Sequence, residues 1–404
     1  MSSFFERYGQ ILFLCLVVAL LLLFFVFLPN LFSEHYILNE NLANTESISA
    51  ITKIKPVFIP SYVSTPMSVK GIYMTSWTAG TPNLRAGLVK LIDQTELNTV
   101  VIDIKDYSGK IVFPVENSTL KVYGSEEVRV NDLGDFIEKL HKKGIYVIGR
   151  IAVFQDAYFV KYRPDLAVKN KKGDKVWEDY KGISWIDPSA TEYWDYIVLL
   201  AKESRKIGFD EINFDYIRFP SDGNMEDISY PWSSTTPKTT VLKNFFQYLH
   251  HSLAPQSVTD VISGKVEQGS ILLKISADLF GMTTTATDDM GIGQVLEDAL
   301  SYFDYISPMV YPSHYPPNFE GLKEPEAHPY EIVYFAMKSA VERTEKASMT
   351  SFKLRPWLQD FGLKMDYGPL EVRAQIKATE DVGLNSWILW SAGNKYTKGA
   401  LDDK

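Results

Sequence analysis

From Val69 onward the chain alternates short, nearly continuous apolar segments with amphipathic ones, and nothing else in it restricts the fold as strongly. "VKGIYMTSW" leads to "NLRAGLVKLIDQTE", "TVVIDIKD" to "NDLGDFIEKLHKKG", and "YVIGRIAVF" to "ATEYWDYIVLLAKESRKIG". "EINFDYIRF" leads to "TTVLKNFFQYLHHSLAP", "ILLKISADLFG" to "IGQVLEDALSYF", "YISPMVYP" to "YEIVYFAMKSAVERTEK", and "KLRPWLQDF" to "PLEVRAQIKATEDVG". "SWILWSAG" closes the series, giving eight strand candidates with seven helices between them. Strands that are apolar on both faces, separated by helices with one apolar face, form a parallel sheet covered by helices. Eight repeats predict a closed (β/α)8 TIM barrel. An open nucleotide-binding sheet would place a glycine-rich turn after an early strand, whereas the first strand here ends "TSWTAGTPN".

Connection lengths support the barrel. Helix-to-strand links are short, as at 97–98 and 209–210, while several strand-to-helix links are long, at roughly 106–130, 154–189, 219–238 and 311–328. In such barrels the strand-to-helix loops gather on the C-terminal face, where active sites are built.

Ahead of the barrel, residues 11–28 read "ILFLCLVVALLLLFFVFL", an uncharged run about long enough to cross a ~30 Å hydrocarbon core. No small-residue cleavage pattern follows, so an uncleaved signal anchor over residues 1–33 is expected rather than a cleaved signal peptide. Arg7 before the run, with Glu34 and Glu40 after it, favours an N-terminus inside and a barrel on the extracytoplasmic side of the cell membrane. Residues 34–68 read as a tether and 69–404 as the barrel.

The net charge of -9 argues against a nucleic-acid partner. The one cysteine, Cys15, lies in the apolar run, so the barrel has no thiol for a disulfide, a zinc site or a nucleophile. The histidines carry no metal-ligand spacing, and no metal or other cofactor is expected, although Asp103, Asp106 and Asp215 could converge on a cation.

Charges inside apolar strands need a reason, because burying an unpaired charge costs several kcal/mol or more. In "GFDEINFDYIRFP" Asp215 falls late in the fourth strand on the face of Asn213, and Arg218 falls on the opposite face unless the strand has already ended. Other strands carry polar or aromatic residues at matching depth: Asp103, Lys105 and Asp106, Arg150, Asp278, Tyr311 and His314, Gln359 and Asp360, and Trp390. Asp103 and Lys105 are expected on one face, with Asp106 on the other. Together with Trp77, these make a mouth of carboxylates, an arginine and aromatic platforms. Paired carboxylates beside aromatic rings are what glycoside hydrolysis uses, one giving a proton to the leaving oxygen and the other meeting the oxocarbenium-like centre.

The run from "RPDLAVKNKKGDKVWEDY" through "GFDEINFDYIRFPSDG", with "KGIYMTSWTAG", "NTVVIDIKDYSGKI", "SADLFGM", "YISPMVYPSHY" and "RPWLQDF", resembles the bacterial DUF4015 family of glycosyl hydrolase domains over roughly Val69 to Gly393. The resemblance implies a glycoside-hydrolase-like TIM barrel near the α-amylase-type superfamily. By that analogy the nucleophile position falls on Asp215, the general acid on Asp278 and a third carboxylate on Asp360. Two departures stand out: Asp278 where that superfamily carries glutamate, and Asn213 where it carries arginine. The implied function is hydrolysis of O-glycosyl bonds in envelope polysaccharide or exopolysaccharide. Trp77, Asp103, Lys105, Asp106, Arg150, Arg218, Tyr311, His314, Gln359 and Trp390 are the expected substrate contacts. The alternative is a non-catalytic carbohydrate-binding barrel.

An uncleaved anchor has a direct readout. In its host the full-length chain should sediment with membranes and keep its N-terminal residues by mass spectrometry. A mature chain beginning shortly after residue 28 would identify a cleaved signal instead.

Overall fold

The computed structural model describes residues 58–253 and 272–404. The apolar run at 11–28 lies outside them, and among the described residues no helix is long and apolar enough to cross a membrane. Eight strands form one closed parallel barrel in sequence order. They are β1 (Lys70–Met74), β2 (Thr99–Lys105), β3 (Tyr146–Ala152), β4 (Glu211–Asp215), β5 (Lys274–Phe280), β6 (Tyr305–Val310), β7 (Trp357–Gln359) and β8 (Trp387–Trp390). β8 returns to pair with β1, Lys70 opposite Trp387. Among the described residues each of the first seven strands is followed by a main helix leading to the next: α1 (Pro82–Gln94), α2 (Leu133–His141), α3 (Thr191–Lys206), α4 (Lys238–Leu253), α5 (Leu296–Leu300), α6 (Pro329–Lys346) and α7 (Pro369–Asp381).

Local chemistry sets these boundaries. Proline opens α1, α6 and α7, where its missing N–H costs nothing and its fixed φ suits the first turn. α3 buries Tyr193, Trp194, Tyr196, Ile197, Val198, Leu200 and Ala201. After it Gly208, at φ +117°, turns the chain back into β4 in a conformation that side chains oppose. The fifth helix is shorter than its pattern suggests. Gly291 and Gly293 both take positive φ, so "IGQVLEDALSYF" becomes helical only from Leu296.

Two apolar layers result. One lies between strands and helices; the smaller one fills the barrel with Val69, Tyr73, Val101, Tyr146, Ile148, Tyr311, Trp357 and Ile388. At the N-terminal end of the barrel Arg355 Nη1 donates to Glu211 Oε2 at 2.9 Å, and the Tyr146 hydroxyl donates to the same oxygen at 3.0 Å. Residues 58–68, read from the sequence as tether, lie against this end. Val63 N donates to Asp210 Oδ1, Thr65 Oγ1 to the Tyr146 hydroxyl, and the Tyr62 hydroxyl to the Arg205 carbonyl.

Arg355 and Glu211 are both essentially inaccessible. Removing one partner of such a pair leaves an uncompensated buried charge, at a cost of about 3–5 kcal/mol. Arg355→Met should lower the unfolding free energy in urea by that amount, and adding Glu211→Gln should restore most of it. An Arg355→Met chain as stable as the parent would mean that Glu211 finds its compensation elsewhere.

Candidate active site

β4 alternates without a fault. Glu211, Asn213 and Asp215 project into the barrel, and Ile212 and Phe214 into the helix layer, as the period of two requires. The strand ends at Asp215, and the next residue, Tyr216, takes φ +52°. That left-handed residue redirects the chain, so Arg218 turns into the barrel mouth instead of following the strand's parity.

The centre of the mouth is Arg150 of β3. Its Nε and Nη2 donate to Asp215 Oδ2 at 3.2 and 2.5 Å, and its Nη1 donates to Asp103 Oδ1 at 2.8 Å. The same Nε lies 3.8 Å from Asp278 Oδ2. The other Asp215 oxygen accepts from the Tyr216 N–H at 2.5 Å. Asp103 also receives the Tyr73 hydroxyl at 2.5 Å. Asp278 Oδ1 receives Asn213 Nδ2 at 2.9 Å and Trp357 Nε1 at 2.7 Å.

One guanidinium thus faces three buried carboxyls, and the imbalance shows in their acidities. Burial, followed by the neighbouring Asp215 charge, pushes the Asp278 carboxyl well above the usual carboxylate range; Arg150 and the two donors offset only part of this. Burial also raises Asp103, against Arg150 and Tyr73. The Arg150 guanidinium is held more firmly protonated, the charges of Asp215 and Asp103 outweighing its burial. Because both donors to Asp278 use Oδ1, Oδ2 is the oxygen left to carry a proton.

Around this group opens a cavity of about 760 Å³. Arg150, Asp215, Asp278, Arg218, Tyr311, His314 and Trp390 line it, bringing together seven of the residues singled out in the sequence. Trp390 stacks on Tyr73, centroids 4.1 Å apart, and meets Trp357 edge-on at 5.5 Å. Tyr311 packs edge-on against His314, whose imidazole burial keeps less basic than usual. Asp103 sits behind Arg150 as its second anchor.

The other expected residues go elsewhere. A register shift in β2 sets Lys105 opposite Ile151, so it faces the helix layer and not the side of Asp103. There, fully buried, its Nζ donates to Asp156 Oδ2 at 2.9 Å and to the Tyr193 hydroxyl at 3.1 Å. Asp106 is held in its loop by Ser108 and by Arg129 at 2.6 Å; the cation at Asp103 and Asp215 is the protein's own Arg150. Trp77, 63% exposed, lies over the Arg129 guanidinium outside the cavity lining. β7 stops after three residues, and Gln359 then serves loops: it donates to the Phe361 carbonyl and accepts from Ser313 N. Asp360 is bound by the Thr397 N–H at 2.9 Å and its hydroxyl at 2.7 Å, and does not line the cavity.

Trp357 and Asn213, the donors that fix Asp278, were not among the expected site residues, nor was Asp179 on the cavity wall. The parity of "EINFD" was the available signal for Asn213, since it shares a face with Asp215. Trp357 and Asp278 are 79 residues apart, and only barrel closure joins them.

Among solved structures, the PgaB (BpsB) glycoside hydrolase domain from Bordetella bronchiseptica is 13% identical, with 81% of this chain and 94% of that one covered at a TM-score of 0.55. Alpha-L-fucosidase isoenzyme 2 from Paenibacillus thiaminolyticus is 12% identical, with 83% and 47% covered at a TM-score of 0.51. A hypothetical protein from Ruminiclostridium thermocellum ATCC 27405 is 29% identical, with 50% of this chain and 96% of that one covered at a TM-score of 0.42. The first two likenesses establish the fold. No curated protein matches the chain. Residues 71–396 match the model of DUF4015, described as "Putative glycosyl hydrolase domain". That match spans nearly the whole barrel, and the chain belongs to the DUF4015 family.

Proposed function

We propose that this protein hydrolyses O-glycosyl bonds, with Asp278 as general acid and Asp215 as the carboxylate that attacks or stabilises the anomeric centre. The observation that carries the reading is the contrast between two carboxyls sharing one arginine nitrogen. Asp215 Oδ2 takes two Arg150 donors, while Asp278, buried and next to that charge, has its acidity weakened. A carboxyl whose surroundings favour its acid form can donate a proton, while a neighbour held by guanidinium donors presents its oxygens to the anomeric centre. In the reaction, the proton of Asp278 passes to the glycosidic oxygen, the bond between that oxygen and the anomeric carbon breaks, and water supplies the new hydroxyl at that carbon while its other proton returns to Asp278. Trp390, Tyr311 and Tyr216 give the cavity aromatic surface against which a sugar ring can stack. The family description supports the same reading. The apolar run at 11–28 supports attachment to the membrane with the barrel outside, and thus an envelope or exopolysaccharide substrate.

Asp215→Asn keeps the shape and removes the charge. It should leave the near-ultraviolet circular dichroism intact while turnover of envelope polysaccharide falls by roughly 10²–10⁴-fold, the usual range for a positioned acid or base. A variant that unfolds yet keeps full activity per folded molecule would make Asp215 a structural ion-pair member.

The pH dependence follows from Asp278. The rate should fall as pH rises through its elevated pKa, because the acid form is lost. Stability should move the same way: in the unfolded chain this carboxyl ionises in the ordinary range, so between that range and the raised folded value the native state holds the extra proton and loses stability with rising pH. Asp278→Asn should flatten this part of the stability profile while lowering turnover. An unchanged stability profile in that variant would remove Asp278 as the group that titrates.

A further inference from the structure

Three of the four aspartates that line the cavity are already engaged. Asp215 holds the three donors described above, and Asp278 two. Asp179 accepts from Gln155 Nε2 at 3.1 Å, Trp185 Nε1 at 3.2 Å, and the N–H groups of Lys181 and Ile183 at 2.9 and 3.0 Å. On the basic side, Arg150 is filled by its aspartates.

Arg218 differs. Its Nη1 is tied to the Phe219 carbonyl at 3.1 Å and to Ser221 Oγ at 3.0 Å, and its guanidinium lies 5.0 Å from the Trp185 ring centre and 5.6 Å from that of Tyr216. The side chain is only 12% exposed. Among the described residues its Nε and Nη2 make no hydrogen bond. The nearest carboxylate, Asp222, stands 3.6 Å from Nη2 with 71% of its side chain in solvent. Lys181, on the same wall, has no ion-pair partner among the described residues.

A guanidinium fixed on one nitrogen and flanked by rings presents its remaining N–H groups as a planar fork, the geometry that matches a carboxylate bidentately. We infer that the glycan unit bound beside Arg218 carries a carboxylate, received by the Nε/Nη2 fork with Lys181 as second cation. The substrate class is therefore an acidic polysaccharide. This inference rests on the hydrolase reading of the same cavity. Asp222 holds the place of the substrate's carboxylate in the free protein and swings to solvent when it arrives, which its exposure permits.

The test separates binding from cleavage. The full-length Asp215→Asn chain is titrated with hexamers of galacturonate, mannuronate and hyaluronan, each beside its carboxyl-reduced, neutral counterpart. At least one acidic hexamer should bind tenfold or more tightly than its reduced form. Arg218→Gln should abolish that preference, and Arg218→Lys, which keeps the charge without the fork, should retain part of it. Equal affinity within every pair, absence of binding by all acidic probes, or a preference that survives Arg218→Gln overturns the inference. Reducing-end release by the unmodified chain on the same hexamers reports on the hydrolase reading independently. An Arg218-dependent preference without cleavage leaves the acid-reading site standing and removes only the catalysis.

Discussion

The structure depends on placing one guanidinium, that of Arg150, in the mouth of a barrel with three carboxyls and little water. The arginine cannot lose its proton there, so it fixes one positive charge at the centre. Three ionised aspartates around a single cation would leave a net negative charge in a poorly solvated space, which is costly. The strain falls most on the carboxyl least served by Arg150, namely Asp278, whose contact with it is the longest of the three and whose pKa burial and the Asp215 charge push up. The charge balance of the fold thus bears most heavily on one of the three aspartates.

Much of this was legible in the sequence. The alternation of eight apolar strands with amphipathic helices, without a glycine-rich turn after the first strand, pointed to the barrel. The parity of "EINFD" specified which of its residues face inward, and long strand-to-helix loops marked the working face. Parity failed where a strand was not regular: one irregularity in β2 moved Lys105 to the other side, and the three-residue β7 released Gln359 and Asp360 to loop partners. In β2 the cause is a one-residue slip, which leaves composition unchanged but inverts the address of the side chain that follows; in β7 it is an early strand end. The amylase-type analogy pointed to Asp360 as a third carboxylate, but it meets Thr397, a partner that strand-by-strand reading could not supply.

The two ends of the barrel solve opposite problems with similar groups. At the N-terminal end Arg355 and Glu211 are sealed with Tyr146 beneath residues 58–68, so their charge serves only the architecture. At the C-terminal end Arg150 and its aspartates border a cavity that a ligand can enter. What separates the two pairs is the cavity that only the second lines.

Tyr216 gives this arrangement an unusual relation to protein engineering. Its positive φ is a conformation that costs a side-chain-bearing residue about 1–2 kcal/mol, so glycine is the replacement a stability screen would favour there. Yet the Tyr216 N–H anchors Asp215, its ring borders Trp185 and Arg218, and its bend is what turns Arg218 toward the cavity. Glycine would relax the backbone and free the loop that carries the arginine. A selection for heat tolerance and a selection for turnover would therefore pull this one position apart.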